Sequence, residues 1–237
     1  MADYEMTRES ALSAPALADE RVRAFLRAVY GWMGAGLAIT AVTAVFIASF
    51  PSLVATIATN RLLFWGLVIA QLGIVLVLSA RVQQLQTGTA SMLFIAYSAL
   101  TGVTISFVLL AYTGESVAST FLVAAGMFGA TAVYGTTTRR SLAGVGQFFF
   151  MGLIGLLLAS LVGVFWHNDG LQFMISLVGV IVFTGLAAYD AQRLKAMALA
   201  LPDGQIGSSA IVGALALYLD FINLFLFLLR FLGSRRD

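Results

Sequence analysis

The sequence predicts an all-α membrane protein with seven transmembrane helices. Of its 237 residues, 60% are hydrophobic and only 10% are charged, which leaves too little polar surface to coat a soluble globule of this size. The apolar residues fall into seven runs, and each run is long enough to cross the roughly 30 Å hydrocarbon core of a bilayer as a helix. We therefore expect a polytopic protein embedded in a lipid bilayer.

The seven predicted spans follow one another with short connections. We place them at residues 28–50, 62–80, 90–112, 117–135, 147–166, 171–192 and 210–232. The three prolines, Pro15, Pro51 and Pro202, all fall outside these runs, where a missing N–H interrupts no spanning helix. We predict one transmembrane domain over residues 28–232, a flexible cytosolic tail over residues 1–27 and a short C-terminal tail over residues 233–237.

The basic residues predict how the chain is oriented. A cytosolic N-terminus places nine of them on the cytosolic side and four, Arg61, Arg230, Arg235 and Arg236, on the other side. The nine are Arg8, Arg21, Arg23, Arg27, Arg81, Arg139, Arg140, Arg193 and Lys195. This excess favours a cytosolic N-terminus, in a membrane that we expect to be a bacterial inner membrane. A re-entrant last segment would return Arg235 and Arg236 to the cytosol.

Several function classes are disfavoured by composition. The chain has no cysteine, which excludes disulfides, thiolate nucleophiles and thiolate metal sites. Its net charge is only +2 and its basic residues are scattered, so nucleic acid is not an expected partner. The single histidine, His167, lies beside Asp169 at a predicted turn, and two ligands fall short of a catalytic zinc site. No cofactor is expected.

Two aspartates lie inside otherwise apolar runs, Asp190 late in the sixth and Asp220 within the seventh. A charged carboxylate in hydrocarbon costs several kcal/mol, so such a residue suggests a functional site. Consecutive antiparallel helices with a rise of about 1.5 Å per residue bring the two to similar depth in the cytosolic half. Two adjacent carboxylates cannot both ionise cheaply, so a shared proton would make them a pH sensor.

Other interpretations of the two aspartates remain open. Asp190 could be solvated at the membrane interface beside Arg193 and Lys195. Asp220 could instead be a buried hydrogen-bonding anchor between helices, a role that needs no ionisation.

An arginine could replace the shared proton as the partner of the aspartates, because a guanidinium binds a carboxylate with two parallel hydrogen bonds. Arg81, at the cytosolic end of the second span, is the better candidate for this latch. Arg230 belongs to the last helix and is expected near the opposite end.

Other oxygen-bearing side chains could assist Asp190 and Asp220 in holding a cation. Asn223 lies one turn after Asp220, and Tyr189 and Tyr218 lie near the two acids in sequence. Stable calcium sites use six to eight oxygens, so these residues would form only a weak, transient calcium site. Weak binding suits conduction better than storage.

Two segments resemble the Bax inhibitor family, also called the transmembrane Bax inhibitor motif family: LYLDFINLFLFLLRFLG at 217–233 and FTGLAAYDAQRLK at 183–195. The resemblance implies a seven-helix bundle in which six helices wrap a central last helix. It also implies a pH-responsive calcium leak with a di-aspartyl sensor at Asp190 and Asp220 and an arginine latch at Arg81. Bacterial members interact with a membrane-anchored ATP-dependent protease, which makes such a protease a candidate partner for the N-terminal tail.

The leading hypothesis is therefore a pH-sensitive calcium leak channel and not an enzyme. A regulator of a membrane-anchored protease or stress response, without transport activity of its own, is the alternative. An intramembrane aspartyl protease is a remote third possibility. Tyr189 and Asp190 match the first half of its motif. The second half of that motif is Gly-x-Gly-Asp, and here Leu217 and Leu219 occupy both glycine positions before Asp220. These bulky residues would obstruct the close substrate approach that glycine permits.

Overall fold

The computed structural model describes residues 2–81, 84–166, 168–201 and 206–236. For residues 2–17 and residue 164 it describes only the backbone. The helices are α1 (Ala2–Ala48), α2 (Pro51–Thr59), α3 (Arg61–Ala80), α4 (Thr87–Ala111), α5 (Gly114–Thr137), α6 (Ala143–Phe165), α7 (Asp169–Ala200) and α8 (Ile206–Leu232). Within these ranges there is no β-strand, and a single isolated bridge joins Tyr112 to Arg235. The predicted all-α class is confirmed.

Seven of these helices, all except α2, are long and apolar enough to span a membrane, which confirms the predicted number of spans. The spanning part of α1 is Ala18–Ala48, so it begins before the predicted residue 28. The helical backbone continues towards the N-terminus as far as Ala2. The flexibility of residues 1–27 stays a prediction.

The short helix α2 lies in what the sequence suggested was a simple connection. It begins at Pro51, whose fixed φ suits the first position of a helix. Asn60 separates it from α3, because its side-chain Oδ1 accepts the N–H groups of Leu62 and Leu63 at 3.0 and 3.2 Å. This N-cap satisfies two of the free donors at the start of α3.

The last helix, α8, is the centre of the bundle, as predicted. It packs directly against α1, α4, α5 and α7, and its side chains are buried on all sides, with Ala214, Leu217, Tyr218 and Leu224 fully inaccessible. In the described part of the chain, α3 packs mainly against α4, and α6 packs mainly against α7. In the described part of the chain, four helices therefore pack on α8, and not the six that the resemblance implies, because α3 and α6 lie outside α4 and α7.

The two ends of the transmembrane domain lie on opposite faces. Near the start, the Arg21 guanidinium donates to the Leu201 carbonyl at 2.9 Å, at the C-terminal end of α7. After α8, the Ser234 carbonyl accepts the N–H of Thr113 at 3.1 Å, in the turn between α4 and α5. The α8 helix therefore crosses the bundle completely, which argues against a re-entrant last segment. Which face is cytosolic stays a prediction.

Close approaches at glycine residues hold α5 and α6 against α7. A Cβ at Gly135 would collide with the Ala188 carbonyl oxygen of α7, and one at Gly146 would collide with the Tyr189 ring. Both contacts lie beside Asp190 in sequence, so the backbone around this aspartate is tightly enclosed. Close approach through small residues is the usual way in which transmembrane helices pack.

We expect Gly135→Val to destabilise the protein by about 1–3 kcal/mol, because the added side chain forces α5 away from α7. The measurement is thermal unfolding of the purified protein in detergent. Gly126→Val is the matched control: it lies on the same helix, and an added Cβ there meets no atom within 4 Å. Equal loss of stability in both variants would contradict the close packing of α5 on α7.

Candidate functional site

Asp190 and Asp220 meet inside the bundle. Asp220 lies near the middle of α8, about 20 Å from either end at 1.5 Å per residue, and its side chain is only 6% exposed. Asp190 lies about 15 Å before the end of α7 and is partly buried. Their carboxyl groups lie within hydrogen-bonding reach of each other. The structure therefore brings together the two acids that sequence analysis singled out.

A hydrogen bond between these two groups would require a proton. An ionised carboxylate only accepts hydrogen bonds, so two carboxyl groups can bond to each other only when one of them is protonated. A bonded pair would therefore be a carboxyl–carboxylate pair or a doubly protonated pair. Two charged carboxylates at this depth would repel each other in a medium that screens charge poorly.

One oxygen of Asp220, Oδ2, is buried and accepts no hydrogen bond from a donor group of the described residues. A buried polar atom without a partner costs about 1–3 kcal/mol. A proton or a cation at this oxygen would reduce the cost. The middle of the membrane-spanning region thus contains a buried carboxyl oxygen that no donor group of the described residues stabilises.

Arg193 is the cation whose charge acts on Asp190. It lies one turn further along α7 and is exposed, so solvent weakens its effect. The neighbouring cation Lys195 is engaged elsewhere, because its Nζ donates to the Thr136 carbonyl of α5 at 2.8 Å. In this conformation the basic residue whose charge acts on the acidic pair is therefore Arg193, and not Arg81.

The two arginines proposed from the sequence lie away from the pair. Arg81 is the exposed residue that ends α3, a helix packed on α2 and α4, and within the described ranges it forms no ion pair with either aspartate. Its role as a latch stays a prediction. Arg230 is exposed near the opposite end of α8, with its guanidinium carbon 5.8 Å from the centre of the Phe227 ring.

The side chains of Asn223 and Tyr218 form hydrogen bonds with groups other than the two aspartates. Asn223 donates to the Leu219 carbonyl of its own helix at 2.8 Å. Tyr218 is fully buried, and its hydroxyl lies 2.6 Å from the hydroxyl of Thr40, which in turn donates to the Ser98 carbonyl. Tyr218 therefore links α8 to α1 and α4 on a side of the helix away from the acids.

The third proposed helper, Tyr189, has its ring packed against Gly146 of α6. No group of three or more histidine or acidic residues that could hold a metal ion occurs in the described part of the chain. A transient calcium site at Asp190 and Asp220 therefore stays a prediction that rests on the two carboxyl groups.

Sequence analysis missed the clamp that holds α7 beside the pair. The Gln192 side chain accepts the N–H of Leu142 at 2.7 Å and donates to the Arg140 carbonyl at 2.9 Å. Gln192 ties the α5–α6 connection to α7 directly after Asp190, and Lys195 ties the end of α5 to it. A glutamine and a lysine at the end of a span are common interfacial residues, so nothing in the sequence distinguished them.

The packing of α8 does not favour proteolysis. Leu217 and Tyr218, just before Asp220, are both fully inaccessible. A peptide bond would have to enter this packed region to reach the carboxyl groups, and the glycine residues that could make room are absent from positions 217 and 219.

Comparison with known proteins agrees with this architecture. Residues 22–237 match the family described as "Inhibitor of apoptosis-promoting Bax1". The chain is 49% identical over 218 residues to the inner membrane protein YbhL of Escherichia coli K12, covering 91% of this chain and 93% of that protein. It is 44% identical over 215 residues to a Borreliella burgdorferi protein, covering 90% and 93%. The chain is an integral, multi-pass membrane protein of the Bax inhibitor family.

Proposed function

We propose that this protein is a calcium leak channel whose opening is controlled by protonation of the Asp190–Asp220 pair. The observation that carries the proposal is the close approach of these two acids, one of them in the middle of the central helix. Membership of the Bax inhibitor family supports it. The calcium specificity rests on the resemblance and on the preference of calcium for carboxylate oxygens.

The structure corresponds to a closed channel in this proposal. Asp220 is buried at 6% exposure, and the bundle around α8 is filled by apolar side chains. As long as the two carboxyl groups share a proton, they attract each other and hold α7 and α8 together. The shared proton therefore acts as the latch.

Loss of the proton reverses the sign of this interaction. Two negative charges in a poorly screening environment repel each other, so α7 and α8 separate and water can reach the pair. The exposed carboxylates then attract a divalent cation from the solution. Because two carboxylates provide too few ligands for stable calcium binding, the cation passes on and does not remain bound.

The direct test is calcium flux into liposomes that contain the purified protein, measured across a pH series. We expect wild-type flux to rise with pH, because higher pH removes the shared proton. Asp190→Asn and Asp220→Asn should each remove this pH-dependent rise in flux, because an amide does not ionise and the repulsion that opens the channel needs two carboxylates. Asp169→Asn, an exposed acid at the start of α7, should keep the wild-type profile.

Two outcomes would contradict the proposal in different ways. If both pair variants kept the wild-type pH profile, the aspartates would not be the sensor. If folded protein showed no flux in any variant, the channel itself would be excluded, and regulation of a membrane-anchored protease would become the leading function.

Arg193→Gln should shift the rise in flux to slightly higher pH. A positive charge near two acids stabilises negative charge on them, so its removal should make the pair keep its proton longer. The shift is small because Arg193 is exposed, and exposed charges interact by about 1 kcal/mol or less. Arg139→Gln, an exposed arginine in the α5–α6 connection, is the control. A shift to lower pH would contradict this assignment.

A further inference from the structure

A crevice lies between α1 and α5, apart from the acidic pair. Both helices pack against α8, yet in the described part of the chain they barely touch each other. The gap contains a cavity of about 740 Å³, which is within the range of ligand-binding pockets. Its floor is formed by Phe221, Ile222 and Phe225 of α8.

The walls of the crevice are apolar and built partly from small residues. Ala41, Ala44 and Ala48 line the α1 side, and Ala118 and Phe121 line the α5 side. Small side chains on facing helices leave a space that no other helix of the bundle fills. The surface inside the crevice therefore suits a hydrocarbon chain.

Few polar groups face the cavity. Among the described lining residues, those with polar side chains are Thr40, Ser49 and Arg236. The Thr40 hydroxyl is already bonded to Tyr218 and to the Ser98 carbonyl. Ser49 donates to the Val45 carbonyl of its own helix at 2.9 Å. Arg236 is thus the one lining side chain that brings a charge to the crevice.

The crevice opens sideways, where the bilayer lies. Val45 on the α1 rim is 61% exposed, and Leu122 on the α5 rim is 71% exposed. Both residues belong to membrane-spanning helices, so their exposed surface faces hydrocarbon and not water. A ligand that reaches this opening comes from the lipid phase.

Arg236 marks one end of the crevice. Its backbone N–H donates to the Ala111 carbonyl at 3.0 Å, which fixes the residue beside the turn between α4 and α5. Its side chain is exposed and forms no ion pair with another described residue, although Glu115 lies in the first turn of α5. An arginine at this position can bind a phosphate with two hydrogen bonds.

An apolar slot with a cation at one end matches an amphiphile with an apolar chain and an anionic head. We propose that the crevice between α1 and α5 binds an anionic phospholipid, with an acyl chain against α8 and the phosphate on Arg236. This site does not depend on the proposed channel activity. It would place a lipid chain against Phe221 and Ile222, the residues that follow Asp220.

Photo-crosslinking of a lipid probe tests the site. The protein is placed in phosphatidylcholine nanodiscs that contain a small fraction of phosphatidylglycerol with a diazirine on its acyl chain. After irradiation, the labelled peptides are mapped by mass spectrometry. We expect label on the crevice residues of α1, α5 and α8 well above the level on the lipid-exposed helices α3 and α6.

Substitutions that fill the crevice should remove this label. Ala118→Phe and Ala41→Phe, one from each wall, place a ring in the cavity, and both positions are exposed, so the fold can accept the larger side chain. Each should reduce crevice labelling severalfold. Ala130→Phe is the control. Ala130 is exposed on α5 and does not line this cavity, nor does it line a second cavity of about 440 Å³ that lies between the same two helices near Tyr30 and Phe128.

The charge of the head group is tested separately. In the wild type, phosphatidylglycerol should label the crevice about fivefold more than the same probe made with phosphatidylcholine, the effect of roughly one basic residue near an anionic lipid. Arg236→Gln should abolish this preference. Arg235→Gln, which borders a different cavity, should leave it intact.

Three results would overturn the proposal. Equal labelling of all lipid-exposed helices in the wild type, unchanged by both crevice-filling variants, would show only the ordinary lipid belt. Equal labelling by the two head groups would exclude an anionic lipid. The third result comes from Ala118→Cys, which introduces a single cysteine because the chain has none. If this variant formed a disulfide-linked dimer that excluded the lipid probe, the crevice would bind a second copy of the chain and not a lipid.

Discussion

The close approach of two acidic side chains inside the bundle is the constraint on which the proposed function depends. Asp190 and Asp220 face each other across α7 and α8, in a region where two uncompensated charges would be costly. A hydrogen bond between them can exist only while at least one of them is protonated. In the proposed mechanism, the contact between the central helix α8 and its most closely associated neighbour, α7, therefore depends on the proton concentration.

The surrounding bundle restrains the two helices to different degrees. Gly135 and Gly146 allow α5 and α6 to approach α7 closely, while Gln192 ties α7 to the connection between them and Lys195 ties it to the end of α5. The central helix has mainly apolar contacts, apart from the Tyr218 hydroxyl bonded to Thr40. A change of charge at the pair would therefore act between a braced α7 and an α8 held mostly by apolar packing.

Long apolar runs and isolated charges made much of this structure predictable. Seven spans followed from hydropathy, and the meeting of Asp190 and Asp220 followed from the antiparallel geometry of consecutive helices. The short helix α2 was not predicted, because nine residues between two spans carry no distinctive hydrophobic pattern. The central position of α8 came from resemblance to the family, since composition alone does not say which apolar helix lies inside.

Contacts between distant helices were beyond the reach of the sequence. The prediction of Arg81 as the latch rests on the expected side of the membrane, whereas depth does not determine that α3 packs mainly on α4. Arg193, next to Asp190 in the chain, was read as an interfacial residue. The crevice between α1 and α5 could not be predicted from the sequence either, because it arises where two helices do not pack against each other.

The most direct measurement is infrared difference spectroscopy of the reconstituted protein across a pH series, which detects the carbonyl stretch of a protonated carboxyl group. We expect a protonated-carboxyl band at neutral pH that disappears at higher pH, over the range in which calcium flux rises. The band should be altered in both Asp190→Asn and Asp220→Asn. A spectrum without this band at neutral pH, or a band that persists unchanged while the channel opens, would contradict the shared proton as the latch.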